Sequence, residues 1–565
     1  MSIQQKKRIT APKLRIIPLG GMEEVGRNMT VFEYDKDIVI LDMGIQFPEE
    51  DMPGIDYIIP SISYLKGKEK NIKAVIFSHG HLDHIGAAPL LLPKLGFPPI
   101  LGRDLTIALI KKRMEDFEKG SAKRLDCIKI NSVSDRFNLG KFRLGFFNVE
   151  HSIVDAIGVI INTPQATVIH PGDWTMERDP LSGKPVTYNH LASLPRPKIL
   201  MLESLGATDT SEKMISEREM HANLEKLIDA AEGKVIIGTF ASQIKRIGHI
   251  LEYASKIGKK VALDGYSMKM NVEIARELGY IKADKGVVIP ISEVHKYSDE
   301  KIIVICTGAQ GEGNAVLSRI VSDDHKYIKI KKNDTIIFSS SVIPGNERTI
   351  QRLKDNLYRK CDNVVHTGVM DVHTSGHCNA QSIKEIIKQV RPDYFLPVYA
   401  NHYFLKEAAK LAVEVGVSKN NVFVLDNGSI IEFGKETAKV LAKKAETGYV
   451  FVDGLGVGDI GEVVLRDRQN LSQDGMFVIV AVIDRRTGKV KGSPDIISRG
   501  FVYLKESKEL LREARKKVIA IVDQSAGENA IDTIFVKNEI RNRIGDFLFY
   551  KTQRRPMVLP VVIEV

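Results

Sequence analysis

Three histidines and one aspartate fall within residues 79–84, which read HGHLDH. The chain holds 14 histidines, so this order should arise by chance in about one chain in a thousand or fewer. Imidazole nitrogen and carboxylate oxygen at this density are typical ligands of zinc or a similar divalent cation, and two adjacent ions are plausible. Histidines that only cap helices or form hydrogen bonds are the alternative. The pattern favours a metal site.

The segments around this cluster indicate how it is arranged. The run AVIF predicts a strand that delivers the chain to a loop, where His79 and His81 point to one side because they lie two residues apart. Asp83 and His84 then open a predicted helix through IGAAPLLL.

Further predicted strands end in the same residue types. RLGFFNVE ends at His151, ATVIH runs into Asp173, and DIVILDMG ends near Asp42. Taken singly, His151 or Asp42 would more often be a turn residue. Open α/β sheets place their sites at such strand ends, so we predict one shared site.

The composition excludes several classes of protein. The 565 residues are 43% hydrophobic and 27% charged, which is ordinary globular composition with length for three to four domains. No apolar run approaches the roughly 18 residues that a membrane span needs. The basic start, MSIQQKKRIT, is not followed by an apolar stretch of signal-peptide length, so we expect a cytoplasmic protein.

Cysteine content and net charge indicate which metal ligands and which kind of binding partner to expect. Only four cysteines occur and none forms a CxxC pair, so any metal must be held by histidine and carboxylate. The net charge of +10 favours a polyanionic partner such as nucleic acid.

Short β-branched runs alternate with helical stretches along the chain, which predicts an α/β protein. We place a domain boundary near the polar stretch at 205–218, and the unit that follows, with the strand and helix pattern of a parallel sheet, closes near 365. A lysine-rich segment at 434–448 suits a linker. The remainder describes a small α/β domain with no catalytic cluster.

Several longer motifs accompany HGHLDH. They are PLGGMEEVGRNM, EHSIVDAIG, HPGDW, TGAQGEGNAVLSR, SSSVIPGNE, HTSGHCNA, and GVGDIG through IISRGFVY. Together they make the sequence resemble the ribonuclease J family, in the β-CASP branch of the metallo-β-lactamase superfamily, over almost its whole length. HGHLDH alone would leave glyoxalases, lactamases and flavodiiron proteins open.

The resemblance implies an αββα metallo-β-lactamase fold interrupted by a β-CASP domain, with the active site in the cleft between them. The implied segments are 1–210 and 368–433 for the metallo-β-lactamase domain, 211–367 for the β-CASP domain, 434–449 for a linker, and 450–565 for a dimerisation domain. It also implies an RNA substrate, a homodimer or a dimer of dimers, and association with other RNA-decay proteins.

The resemblance also implies roles for individual residues. His79, His81 and His151 would hold one zinc ion, Asp83 and His84 a second, and Asp173 would bridge the two, with Mn²⁺ or Mg²⁺ as substitutes. Asp42 would orient a ligand histidine. The implied reaction is two-metal hydrolysis of a phosphodiester, in which His377, paired with Glu203, is the general acid.

A phosphate cradle is the last implied feature. Glycine-rich loops present backbone N–H groups to phosphates, and the loop 308–313 (GAQGEG) stands beside serine-rich stretches. The residues expected to contact RNA are Ser242, Gly308, Gln310, Gly311, Ser340, His373, Ser375 and Gly376. Lys245 and Arg246 are further candidates for phosphate contacts.

Two motifs depart from the family pattern. Tyr266 stands where the family's GRSM motif has arginine, so a basic contact to RNA is either missing or replaced by stacking on the tyrosine ring. The family's P-x-H-G-E motif reads PVYANH here, so Tyr399 takes the place of a second-metal histidine and His402 lies three residues on. We therefore expect the second metal to bind more weakly, with Tyr399 and His402 near it.

The leading hypothesis is a 5′-to-3′ exoribonuclease with endonuclease ability that prefers 5′-monophosphorylated RNA and acts in RNA maturation and decay. A catalytically weak RNA-binding partner subunit is the first alternative, because of the altered P-x-H-G-E motif. A small-molecule metallohydrolase is the second, against which the β-CASP-like insertion and the basic charge argue.

Overall fold

The computed structural model describes residues 12–49, 51–180, 183–211, 214–311, 315–343, 346–503, 506–525 and 532–565. Glu312 and Gly313 of the predicted phosphate loop lie outside these residues. The chain divides into two compact units. The first holds the residues up to Gln46 together with Ile59–Tyr449, and the second holds Phe47–Ile58 together with Val450–Val565.

The elements before residue 211 alternate strands with short helices. The strands are β1 (Leu14–Gly20), β2 (Met29–Tyr34), β3 (Asp37–Leu41), β4 (Tyr57–Ile59), β5 (Ile72–Ile76), β6 (Ile100–Gly102), β7 (Cys127–Lys129), β8 (Phe137–Leu139), β9 (Phe142–Asn148), β10 (Ile157–Asn162), β11 (Thr167–His170) and β12 (Lys198–Glu203). The helices are α1 (Leu82–Ile85), α2 (Ala88–Lys94) and α3 (Asp104–Phe117).

The middle and the end of the chain continue the alternation. Up to residue 365 come α4 (Glu217–Ala230), β13 (Val235–Thr239), α5 (Ile244–Lys256), β14 (Lys260–Asp264), α6 (Tyr266–Glu277), β15 (Val288–Ile289), β16 (Ile302–Cys306), α7 (Val316–Val321), β17 (Thr335–Ser339), α8 (Glu347–Tyr358) and β18 (Asn363–Val365). Then follow α9 (Ala380–Val390), β19 (Tyr394–Val398), α10 (His402–Glu414), β20 (Ile431–Phe433), β21 (Ala438–Val440), β22 (Val450–Asp453), β23 (Gly456–Val457), α11 (Glu462–Asp474), β24 (Met476–Ile483), β25 (Asp495–Arg499), α12 (Lys508–Ser525), α13 (Thr533–Thr552) and β26 (Met557–Glu564).

Two sheets form the centre of the first unit. One has the strand order β21-β20-β1-β2-β3-β5-β6-β7 and the other β19-β12-β11-β10-β9-β8. They share one buried core, to which the first sheet contributes Phe32 and Ile76 and the second Phe146 and Met201. Helices α9 and α10 pack on the outer face of the second sheet, and α3 lies against β6 and β7. These layers confirm the expected αββα sandwich.

The inserted segment forms its own parallel sheet in the order β15-β14-β16-β13-β17-β18. Its central strands β13, β16 and β17 are buried along their length, because helices cover such sheets on both faces. This confirms the parallel α/β arrangement predicted for this part.

Helix α9 illustrates how local sequence fixes an element beside the candidate site. The side chain of Asn379 accepts a hydrogen bond from Ser382 N at 2.9 Å and so caps the helix. Ile383, Ile386, Ile387 and Val390 are spaced for one helical face, and all are buried. The helix therefore begins three residues after His377 and anchors the loop that carries this side chain.

The second unit has two small sheets. Strand β4 joins β22 and β23 through a cluster of Ile55, Ile58 and Phe451. The other sheet has the order β25-β24-β26, and α12 and α13 cover one of its faces. Among the described helices of the chain, none is long and apolar enough to cross a membrane.

Candidate metal centre

Four side chains from three strand ends converge on one point. His79 and His81 follow β5, His151 follows β9, and Asp173 follows β11. His81 Nδ1 lies 3.1 Å from His79 Nε2 and 3.0 Å from His151 Nε2. Asp173 Oδ2 is 4.0 Å from the Nε2 atoms of His79 and His151. Ligand atoms of a tetrahedral zinc site, with bonds of about 2.0–2.1 Å, stand about 3.3 Å apart, so this first group fits a divalent cation.

A second group shares Asp173 with the first. Asp173 Oδ1 lies 3.3 Å from His84 Nε2, and Asp83 Oδ2 lies 3.4 Å from the same nitrogen. These separations again match the spacing around a single cation with bonds near 2 Å. The two oxygens of Asp173 thus face two different groups, which is the arrangement that a bridging carboxylate requires.

Hydrogen bonds behind the ligand atoms fix the histidine rings. His84 Nδ1 donates to Asp42 Oδ2 at 2.8 Å, and Asp42 also accepts from Ser78 N and Ser78 Oγ. His151 Nδ1 donates to Gly376 O at 2.7 Å. Because the outer nitrogen makes the hydrogen bond in both rings, Nε2 is the atom that faces the centre. Asp42 has φ +62° directly after β3, which is the kind of backbone strain that functional sites retain.

Burial keeps all three ligand imidazoles of the first group uncharged, and it lowers the pKa of His79 well below its usual value. It lowers the pKa of His81 to about 4 and that of His151 to about 3. Neutral rings are the form that binds a cation. Burial also opposes ionisation of Asp173, but the neighbouring His84 outweighs it and holds the pKa of this carboxyl well below its usual value.

Glu203 and His377 face each other beside the centre. Glu203 is the last residue of β12, and its Oε2 lies 3.6 Å from His377 Nδ1, an ion-pair distance longer than a hydrogen bond. Burial disfavours protonation of His377, but the Glu203 carboxylate outweighs it and raises the pKa of His377 to about 9. The ring of His377 also contacts that of His151. A histidine that is protonated near neutral pH can serve as a proton donor.

The loop that carries His377 can approach His151 only because residue 376 is glycine. A Cβ there would lie 2.9 Å from Ser152 Oγ and 3.0 Å from His151 Cε1. Ser375 is exposed, and its Oγ accepts a hydrogen bond from His377 N at 3.1 Å.

Arg246 does not lie where phosphate could meet it. The residue is 1% exposed, and its Nη1 donates to Ser339 O and to His373 Nδ1, both at 2.8 Å. Its Nη2 donates to Thr374 Oγ1 at 3.2 Å, and Thr374 in turn donates to Glu217. The predicted phosphate contact of Arg246 is therefore replaced by a structural role that joins the inserted segment to the HTSGH loop. The neighbouring Lys245 is exposed.

The residues predicted to contact RNA fall into two groups. His373 is buried against Arg246, and Gln310 is buried with its amide bonded to Ser341 O and Ile343 N. Gly308, Gly311 and Ser340 are buried as well. Ser242, Ser375 and Gly376 reach the surface at least in part. Any cradle for a phosphate therefore depends on backbone groups and on few exposed side chains.

Tyr399 and His402 are placed apart from each other. Tyr399 follows β19, and its buried ring contacts those of His84 and His170, with centroids 5.4 and 5.0 Å away. Burial raises the pKa of the Tyr399 phenol well above its usual value, so it stays neutral. His402 is exposed and belongs to a separate group with Glu23 and Asp426.

Asn28 also lies at the second group, although its residue type and spacing did not single it out. Its Nδ2 is 3.0 Å from His84 Nε2 and 3.3 Å from Asp83 Oδ2. The only signal in the sequence was its place in the motif PLGGMEEVGRNM.

Family models match successive parts of the chain. Residues 22–207 match the metallo-beta-lactamase superfamily, and 232–357 match the ribonuclease J beta-CASP domain. Residues 363–425 match a Zn-dependent metallo-hydrolase RNA specificity domain, and 463–565 match the ribonuclease J C-terminal domain.

Curated relatives align over nearly the full length. Ribonuclease J 1 of Streptococcus pyogenes serotype M3 is 35% identical over 554 residues, covering 97% of each chain. Ribonuclease J2 of Bacillus subtilis is 34% identical over 560 residues, covering 99% of this chain and all of its own. A crystal structure of a protein of unknown function from Enterococcus faecalis V583 covers 76% of this chain with a TM-score of 0.52 and 14% identity, and so supports the fold alone.

Proposed function

We propose, from the premise that this chain belongs to the ribonuclease J family, that it degrades RNA from the 5′ end and also cuts internally. Family membership supports a metal-dependent ribonuclease in RNA processing, and the direction of attack and the preference for a 5′-monophosphate are our proposal. We further propose a cytoplasmic location, where RNA maturation and decay take place.

The observation that carries this proposal is the pair of donor groups that share Asp173. We assign the first cation to His79, His81 and His151, and the second to Asp83 and His84, with one oxygen of Asp173 for each. We propose zinc for the first group, because imidazoles suit it, and Mn²⁺ or Mg²⁺ as substitutes.

Divalent cations in these groups would activate a water and stabilise negative charge on the scissile phosphate. The chain's own residues orient the ligands and supply a proton. Asp42 keeps His84 in one tautomer, and Glu203 keeps a proton on His377. We assign that proton to the departing ribose oxygen, which makes His377 the general acid.

The 5′ end of the substrate should control the rate of degradation. The loop after β16 and the serines near 340 and 375 supply N–H and hydroxyl donors, and such a pocket fits a monophosphate better than a bulkier triphosphate. We expect 5′-monophosphorylated RNA to be degraded about tenfold faster or more, which corresponds to about 1.4 kcal/mol. The measurement is the decay of one labelled RNA carrying a monophosphate, triphosphate or hydroxyl 5′ end.

The same RNA with a chelator present is the control, and it should stay intact. Equal rates on all three 5′ ends would contradict the proposed end preference. If RNA binds but stays intact after Zn²⁺ or Mn²⁺ is added, the chain is the RNA-binding partner subunit, the second candidate, which Tyr399 in place of the family histidine favours.

We also propose that the second unit mediates self-association. One face of its β25-β24-β26 sheet is apolar and uncovered by α12 and α13. Val480 pairs with Val561 in register, and Val561 is 41% exposed between Leu559 and Ile563. A monomer rarely exposes such a contiguous apolar face, and a second copy of the chain fits it because the surface is the same on both.

Charge on this face should separate the copies. Val561→Lys is expected to convert dimers into monomers, because a lysine ammonium would lose its hydration in an apolar interface. Sedimentation of the full chain measures this. Ile534→Lys in α13 is the matched control, since Ile534 is apolar and exposed but lies on the helical side of the sheet. A Val561→Lys protein that stays dimeric would contradict the assignment.

A further inference from the structure

The side chain of Asn28 is buried, and one of its two polar atoms makes no hydrogen bond among the described residues. The residue is 1% exposed, and Asn28 Oδ1 accepts no hydrogen bond within the part of the chain that the structure describes. Its backbone is held by two hydrogen bonds, from Asn28 N to Asp83 O and from Gly44 N to Asn28 O. Because this oxygen makes no hydrogen bond in the described part of the chain, a half-turn of the amide about its last side-chain bond breaks none on that side.

The amide nitrogen of the same side chain stands at a corner of the second donor group. Asn28 Nδ2 is 3.0 Å from His84 Nε2 and 3.3 Å from Asp83 Oδ2. The corresponding separations from His84 Nε2 to Asp83 and Asp173 are 3.4 and 3.3 Å. All four lie near the roughly 3.3 Å edge of a tetrahedron with bonds of about 2 Å to its centre. The Asn28 amide therefore lies at ligand-to-ligand distance from two of the three donors of this group, His84 and Asp83.

A half-turn about the last side-chain bond would exchange the two ends of this amide. The oxygen then takes the corner that the nitrogen now holds, and the N–H groups leave His84 and Asp83, whose lone pairs become free. Amide nitrogen does not bind a cation, whereas amide oxygen does. The donor at this corner cannot come from residue 399, which is a tyrosine whose ring only packs against His84, nor from the exposed His402.

We propose that Asn28 Oδ1 is the fourth protein ligand of the second cation in this chain. The inference rests on the proposed function, because it takes the group of Asp83, His84 and Asp173 as a cation site. It makes the second site rich in oxygen, with three oxygens and one nitrogen, whereas the first has three nitrogens and one oxygen. Oxygen donors suit Mn²⁺ and Mg²⁺ better than they suit zinc.

Calorimetric titration of the metal-free, full-length protein with Mn²⁺ and with Zn²⁺ tests the proposal. Asn28→Ala removes the oxygen and should weaken the weaker binding event at least tenfold, with the tighter event unchanged. Asn28→Asp supplies a charged oxygen at the same corner and should tighten the weaker event at least tenfold. If Asn28→Ala leaves both affinities within twofold of wild type, the proposal is wrong.

Two further variants exclude other donors. His402→Ala should leave both binding events unchanged, and a selective loss of the weaker event in this variant would overturn the proposal in favour of His402.

Tyr399→His restores an imidazole, so in that background Asn28→Ala should have a smaller effect. An undiminished effect of Asn28→Ala there would show that the amide acts on folding rather than on the cation. The Asn28→Asp titration decides the matter if the alanine variant does not fold.

Measurements of metal affinity and of RNA hydrolysis distinguish a failure of the proposed ligand from a failure of the proposed function. A protein that binds two cations with the expected dependence on Asn28 but leaves RNA intact contradicts the proposed function and not this ligand. A protein that hydrolyses RNA and binds two cations without regard to Asn28 contradicts this ligand and not the function.

Discussion

Asp173→Ala is expected to lower the rate of RNA hydrolysis about a thousandfold or more, because it removes one ligand from each donor group at once and with them several kcal/mol of transition-state stabilisation. Asp173 Oδ1 faces His84 and Asp173 Oδ2 faces His79 and His151. RNA affinity should change little, since phosphate contacts elsewhere on a basic protein supply most of it. Single-turnover decay of labelled RNA and filter binding measure the two quantities.

Asp179→Ala provides a matched control. Asp179 is a nearby carboxylate that is more than half exposed and pairs with Arg218, so its loss should leave hydrolysis near the wild-type rate. A near-normal rate in Asp173→Ala, with its metal content measured, would remove the basis for the catalytic assignment.

Arg246→Ala should reduce the free energy of unfolding by about 3–5 kcal/mol, because it leaves several buried acceptors without their donor. Glu217, Ser339, His373 and Thr374 all belong to this network. Hydrolysis should fall as well, since the HTSGH loop would lose its support three residues before His377. Urea denaturation followed by circular dichroism measures the first effect.

Lys245→Ala is the control for this variant. Lys245 is adjacent in sequence but exposed, so its replacement should change the free energy of unfolding by less than about 0.5 kcal/mol. Arg246→Lys keeps the charge but loses the planar fork, and it should fall between wild type and alanine. Equal stability of the Arg246→Ala and Lys245→Ala proteins would show that the buried network contributes nothing.

Much of the fold was predictable because its signals are local. The runs LRIIPLG and MTVFEY correspond to β1 and β2 residue for residue. The strand before HGHLDH ends at Ile76, one residue earlier than the predicted run AVIF. Polar residues that follow buried strands point to a shared edge, and His79, His151 and Asp173 do meet there.

Other parts of the site depend on contacts between distant residues, which no local pattern records. Arg246 carries the same charge as Lys245, yet one is buried and the other exposed, because Ser339 and His373 approach only one of them. His402 seemed close to the second metal by its position in the sequence. It turns instead toward Glu23, some 380 residues earlier in the chain. Asn28 reached His84 by the same kind of long-range packing.

The pairing of β4 with β22 bears on how the protein is made. Asp56 N donates to Val452 O at 2.9 Å. Strand β4 can therefore pair only after β22, about 400 residues later in the chain, has been synthesised. Ile55 and Ile58 form a buried cluster with Phe451, so this cluster can form only after Phe451 has been synthesised. Domains generally fold as units, N-terminal ones first, as the chain leaves the ribosome. Contacts this distant in sequence form slowly because of the entropy of closing the loop. We therefore expect this small sheet to be among the last parts of the chain to form during translation, with its apolar residues in contact with water until then.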